Sequence, residues 1–303
     1  MSTSLGFHFF ERGWLSANNT LLIDGDQAIL IDSGYWTHAS QTLALVRHAL
    51  AGRPLTHLFN THLHSDHCGG NAQLQAYFPD LTTAIPPGHA AYVRQWDPAV
   101  LTYTPTGQHC PPFDFDHVLT PGTHFRVADM TWEIHAAPGH DPHSLIFFCP
   151  ERRWLLSADA LWEQGFGVVF PELEGIDAFN AVGDTLDLIE GLQPLRVFPG
   201  HGRPFEDVKG ALARARSRLE GFMASPTKHA THAVKVLLKF KLLELQQVRL
   251  NAFVDWARDL PYLNTLHGQF GSSQTMDEWI ATLCAGLAAS GAARLEGDWL
   301  YDA

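Results

Sequence analysis

The spacing of apolar and polar positions changes character along the chain. Thr20–Asp24 and Gln27–Asp32 are short alternating runs on either side of Gly25-Asp26, which predicts two strands joined by a hairpin. Ala39–Leu50 sets Leu43, Leu45, Val46 and Leu50 at helical spacing and is closed by Gly52 and Pro54. Leu55–Asn60 reads as a short strand running into His62-Leu63-His64-Ser65-Asp66-His67, and a helix is predicted near Asn71–Tyr77 after Gly69-Gly70. Asp97–Pro121, rich in Pro, Gly and Thr, reads as a long loop lining a pocket. Strands follow at His124–Val127, Thr131–His135, Ser144–Cys149 and Trp154–Ser157. A helix over Asp177–Leu192 then precedes a strand over Leu195–Phe198, which ends at Pro199-Gly200-His201-Gly202.

Past Arg203 the helical rhythm takes over. Phe205–Ala224, Ala230–Leu245, Gln247–Leu260 and Thr275–Ala289 read as helices, and Ala293–Leu295 with Trp299–Tyr301 as a terminal hairpin. Strands followed by helices, twice over, predict an α/β layered domain. The expected organisation is a catalytic domain over 1–203 and a small, mostly helical, winged-helix-like domain over 204–303.

Composition adds a sizeable core and excludes disorder: of 303 residues, 46% are hydrophobic and 17% charged. No apolar run approaches the ~18 residues of a membrane helix. The patch Phe7–Phe10 is closed by Glu11 and Arg12, too short for a signal peptide. Cys68, Cys110, Cys149 and Cys284 are scattered and form no CxxC pair. Reduced thiols and a cytoplasmic location are therefore expected. The net charge of −12 divides into −13 over 1–202, +6 over 203–250 and −5 over 251–303. An acidic catalytic half repels polyphosphates at long range, although bound cations reverse charge locally. A small-molecule substrate is expected. The basic helices keep nucleic acid open as the alternative, against their being a salt-bridged face packed on the catalytic domain. Apolar positions there, among them Phe222, Leu237, Leu238 and Phe240, suit core or a contact between subunits.

The candidate chemistry lies at strand ends. His62 and His64, two positions apart, can face the same way from the end of a strand. Asp66 and His67 stand on the turn that follows and can face a second ion. Imidazole with carboxylate suits zinc, with iron or manganese as alternatives, and not calcium. His140 in Pro138-Gly139-His140, Asp159 in Ser157-Ala158-Asp159 and His201 also close apolar strand patterns, as a site on one rim of a sheet requires.

On these motifs, residues 18–202 resemble the metallo-β-lactamase-fold superfamily. The resemblance implies a four-layer αβ/βα sandwich with the metals at one edge. It implies a first metal on His62, His64 and His140, a second on Asp66, His67 and His201, and Asp159 bridging them. Asp32 matches an early acidic position that supports the metal loop. The activity implied is hydrolysis of a small ester, thioester or lactone by water activated between two ions, with Asp66 orienting the nucleophile and passing a proton to the leaving group. The alternative is an endoribonuclease or phosphodiesterase using the basic segment as a grip. Asp159 replaces the cysteine of one β-lactamase branch. The stretch Ala160–Gly167 departs from the glycine-rich sequence usual in glyoxalase II and persulfide dioxygenases. Cys68 is a minor candidate ligand, His143 a candidate substrate contact, and Trp162, Phe166 and Phe170 candidate pocket walls.

Overall fold

The computed structural model describes residues 6–271 and 273–303. Two mixed sheets form the first part of the chain. One runs β1 (Gly6–Phe10), β2 (Asn19–Asp24), β3 (Gln27–Ile31), β4 (His57–Phe59), β5 (Thr82–Ile85) and β6 (His117–Val118), in that order. The other runs β11 (Arg196–Pro199), β10 (Trp154–Ala158), β9 (Leu145–Cys149), β8 (Met130–Ala136) and β7 (His124–Val127). The β2–β3 hairpin turns at Gly25, whose φ of 57° is left-handed, in register Asp24↔Gln27.

The period of two along each strand assigns its side chains to two different cores. Leu22, Ile29, Ile31, Phe59 and Ala84 of the first sheet meet Trp132, Ile134, Leu145, Phe147, Leu156 and Phe198 of the second in one buried cluster. The intervening residues Leu21, Ile23, Ala28, Leu30 and Leu58 pack on the other face, with Val46 and Leu50 of α1 (Ala39–Leu50) and Leu74 of α3 (Asn71–Tyr77). Burial on both faces is why Leu21–Ile23 in β2 and Ala28–Ile31 in β3 are unbroken apolar runs. Behind the second sheet, α6 (Phe179–Leu192) buries Phe179, Val182, Leu186 and Ile189, and Thr185 Oγ1 donates to the Pro138 carbonyl at 2.9 Å. The result is the expected four-layer α/β sandwich. Short helices α2 (Ser65–Cys68), α4 (Ala90–Gln95) and α5 (Phe170–Leu173) lie in the connections.

The chain divides into two compact units, 1–101 with 109–220, and 102–108 with 221–303. The change of texture at Arg203 precedes this division because most of α7 (Val208–Met223) belongs to the first unit. Arg216 pairs with Asp187 and Glu190 at 2.7 Å each, and Arg214 Nε donates to the Glu163 carbonyl at 2.8 Å. The second unit holds α8 (Pro226–Leu245), α9 (Leu250–Arg258), α10 (Pro261–Phe270) and α11 (Met276–Ala289). Beside them lies a three-stranded antiparallel sheet of β12 (Gln247–Arg249), β14 (Trp299–Asp302) and β13 (Ala293–Glu296). The predicted helix Gln247–Leu260 is thus corrected: its first residues pair with Tyr301, Leu300 and Trp299, and a cross-strand partner distant in sequence overrides the local helical pattern. The basic segment is largely paired: Lys239 holds Asp302, Lys241 holds Glu244 at 2.9 Å, and Arg249 holds Asp298.

Phe147 is fully buried where the two sheets meet. Phe147→Ala is expected to lower unfolding free energy by about 3–5 kcal/mol, measured by urea denaturation. A loss under about 1 kcal/mol would contradict a tightly packed inter-sheet core.

Candidate metal centre

Strand direction brings the predicted ligands to one edge. β3 and β4 are parallel, so Asp32 and the segment His62–His67 leave the first sheet on the same side. β8 is antiparallel to β9, β9 to β10, and β10 is parallel to β11. The ends of β8, β10 and β11 therefore coincide, and they deliver His140, Asp159 and His201. A register shift in β10 between Leu156 and Ala158, with Ala158 at a φ of 46°, immediately precedes Asp159.

All seven predicted residues converge in three overlapping groups: His62, His64 and His140; His62, His67 and Asp159; and Asp66, His67 and His201. Within each group the potential ligand atoms lie within 4.8 Å of one another. His62 Nε2 and His64 Nδ1 are 3.1 Å apart. Asp159 divides its oxygens: Oδ1 is 3.4 Å from His67 Nε2, while Oδ2 is 3.4 Å from His140 Nε2 and 3.8 Å from His201 Nε2. Asp66 Oδ2 is 3.0 Å from His201 Nε2. Two ligands of one tetrahedral zinc stand roughly 3.3 Å apart, so these separations suit a metal.

The outer hydrogen bonds decide which nitrogens face inward. Asp32, itself buried, accepts from the Thr61 amide at 2.8 Å, from Thr61 Oγ1 at 2.7 Å, and lies 2.8 Å from His67 Nδ1. His140 Nδ1 lies 2.5 Å from the Val168 carbonyl, which makes that nitrogen the protonated donor. The inward His67 Nε2 and His140 Nε2 are buried without a hydrogen-bond partner among the described residues. A buried ring nitrogen left so is costly, and a metal ion would satisfy it.

Charge supports the same arrangement. Burial, with His67, His64 and His140 nearby, holds His62 well below the usual histidine range. Burial and His140 bring His64 down to about 4, so both offer neutral lone pairs at pH 7. Burial disfavours charge on His67, but Asp159, Asp32 and Asp66 together outweigh it and raise that imidazole well above its ordinary value. Burial likewise opposes charge on Asp159, and His201 and His67 overcome it, holding the carboxyl well below its usual range. Clustered buried carboxylates thus call for positive charge here.

Two glycines permit the close approaches. A Cβ on Gly70 would stand 2.5 Å from the Ser33 carbonyl oxygen, where the turn after His67 crosses the Asp32 loop. A Cβ on Gly200 would stand 2.2 Å from Asp159 Oδ1.

The other candidates separate. Cys68 directs its thiol at the Leu63 and His64 carbonyls and lies 3.8 Å from Cys110 Sγ, outside the three groups. The His143 amide donates to Asp141 at 2.7 Å, and its ring meets His89 at 4.8 Å. Phe166 is buried in the core, whereas half-buried Phe170 flanks His64 and His140, at 6.1 and 6.5 Å between centroids. Trp162 donates from Nε1 to Asp159 Oδ1 at 3.2 Å. Trp14, which no pattern singled out, stacks on His201 at 5.4 Å.

The sequence pattern of the Metallo-beta-lactamase superfamily matches residues 12–201. Thioesterase pkgB of Emericella nidulans is 27% identical over 66% of this chain and 50% of its own length, so the chain spans half of that relative. The hydroxyacylglutathione hydrolase of Haemophilus ducreyi is 26% identical over 71% of this chain and 79% of its own. Among solved structures, a metallo-beta-lactamase family protein from Thermus thermophilus aligns with a TM-score of 0.55 at 17% identity, over 99% of this chain and 98% of that one.

Asp32→Asn retains the shape, and asparagine tolerates the left-handed φ of 58° at this position. Loss of the carboxylate charge beside His67 is expected to weaken zinc binding by about 10–100-fold. Competition of the purified protein with a chromophoric chelator measures it, and unchanged affinity would remove Asp32 from the supporting role.

Proposed function

The chain belongs to the metallo-beta-lactamase superfamily, and on that premise we propose that it is a hydrolase of small thioesters working with two divalent metal ions, zinc foremost. The observation that carries this reading is the position of Asp159, whose carboxylate lies 3.4 Å from His140 on one side and 3.4 and 3.8 Å from His67 and His201 on the other. We assign His62, His64 and His140 to one ion, Asp66, His67 and His201 to the other, and Asp159 to both. The two relatives, named a thioesterase and a hydroxyacylglutathione hydrolase, support a thioester over an ester or lactone.

Divalent ions at these positions supply Lewis acidity toward an acyl oxygen and lower the pKa of water. The chain's own residues do the rest. Neutral His62 and His64 keep lone pairs inward, and Asp32 and the Val168 carbonyl fix the rings of His67 and His140. Asp66, half-buried and not enclosed, is the group we assign to the proton: Oδ2 takes it from the attacking water and delivers it to the departing sulfur as the acyl C–S bond breaks. Phe170, beside His64 and His140, forms an apolar wall for the acyl chain.

Lys239, Lys241 and Arg249 are committed to carboxylates, which leaves the basic segment poorly placed to grip a polyphosphate and disfavours the nuclease reading. Helices followed by the β13–β14 hairpin support a winged-helix-like description of the C-terminal unit. Free cysteines at all four positions fit a reducing, cytoplasmic setting. Among the described residues, no helix is long and apolar enough to cross a membrane.

Zinc-loaded protein should hydrolyse at least one S-acyl thioester of glutathione or pantetheine. His140→Ala or chelation should reduce turnover to background, and Asp66→Asn should lower kcat by about 10²–10⁴-fold. Absence of turnover across thioesters, esters and lactones by metal-loaded protein would refute the proposal.

A further inference from the structure

The imidazoles of the centre are not all held in the same way. His62 places Nδ1 3.1 Å from Thr61 Oγ1, His67 Nδ1 is held by Asp32, and His140 Nδ1 by the Val168 carbonyl. His201 turns Nε2 toward Asp66 and Asp159, yet its outer nitrogen Nδ1 is buried with no hydrogen-bond partner among the described residues. On that outer side the ring is met by other rings instead.

The indole of Trp14 lies against it. The two planes are within 6° of parallel, with centroids 5.4 Å apart, in the range of an offset stack. Trp162 closes the arrangement edge-on, 5.4 Å from Trp14 and 5.3 Å from His201, and its Nε1–H reaches Asp159 Oδ1. Trp14 is 56% exposed, so packing in the core does not account for its position. The backbone that carries it is fastened to the loops bearing ligands of one ion. The Ala17 amide donates to the Asp66 carbonyl at 2.9 Å and the Asn18 amide to the Gly200 carbonyl at 2.7 Å. Asn18 Nδ2 spans the Pro199 and Gly202 carbonyls at 2.9 and 2.8 Å. One short segment between β1 and β2 therefore ties Asp66 to His201, which come from opposite sheets.

We propose that Trp14 is the positioning residue of the second metal site, Asp66, His67 and His201, orienting His201 by ring stacking where His62, His67 and His140 use a hydrogen bond. Trp162 completes the device by fixing Asp159. This rests on the two-metal reading above. The first site, His62, His64 and His140, has no contact with Trp14 among those described; it shares only Asp159 with the second, and Trp162 still donates to Asp159 when Trp14 is replaced.

The test is zinc titration of the metal-free full chain against a chromophoric chelator, which reads each equivalent without any substrate. Wild type should bind two equivalents. Trp14→Ala should weaken one of them by about 10–100-fold and leave the other within twofold, while Trp14→Phe, which keeps a stackable ring, should restore most of the loss. Unfolding of the metal-free variants should match wild type, separating site geometry from general stability. Two equivalents bound equally well by wild type and Trp14→Ala would overturn the inference and leave the two-metal reading intact. Equal weakening of both equivalents would also overturn it, by assigning Trp14 a general structural role. Fewer than two equivalents in wild type would overturn both.

Discussion

Three buried or half-buried carboxylates, Asp32, Asp66 and Asp159, gathered around one set of imidazoles form the constraint on which this structure turns. Burial penalises each charge, and hydrogen bonds together with positive charge at close range offset that cost. In the protein alone the positive charge centres on His67, whose imidazole is pushed above its ordinary range by all three acids, with His201 acting beside it on Asp159. A divalent cation would carry the same compensation with a second charge and with the coordination that His67 and His140 leave unmet. The edge of the sandwich is therefore a place where hydrophobic burial and electrostatics oppose one another, and the sheets must be rigid enough to hold it.

That rigidity comes from the sheets' double burial. The strands that end at the site are packed on the facing sheet by one set of residues, and β2, β3 and β4 carry a second set against α1 and α3. Loops leaving such strands start from fixed points. The ligands still need aiming, and the means differ: a backbone irregularity before Asp159, a carboxylate behind His67, a carbonyl behind His140 and an indole beside His201. The glycines after His67 and before His201 contribute by absence, since a side chain at either would collide with backbone or with Asp159.

Much of this was legible beforehand. The β2–β3 hairpin, α1 and the strands that lead to His140, Asp159 and His201 follow local rules of period and punctuation, and the histidine motif concentrates donors too densely for chance packing. Among the elements that escaped, β12 and β5 owe their stability to partners that are not local. β12 looks helical and becomes a strand because β14 offers it partners. β5 is short and half threonine, and it forms because β4 and β6 lie beside it. The compact units likewise divide later than the change of texture, since α7 is fastened by Arg214 and Arg216 to residues far back in the chain.

The amino-acid sequence by itself determined the kind of chemistry: imidazoles and carboxylates at strand ends, in numbers that suit two ions. It also determined the α/β layering, because period and turn residues act over a few neighbours. Only the tertiary structure decided which oxygen of Asp159 faces which histidine, that Asp32 holds His67, and that Trp14 lies on His201. Those relations join residues from different strands, in part from opposite sheets, whose separation in the chain leaves no periodic trace. They exist because parallel and antiparallel pairing brings several strand ends to one edge, where the distances between atoms, and not their order in the chain, govern what can be bound.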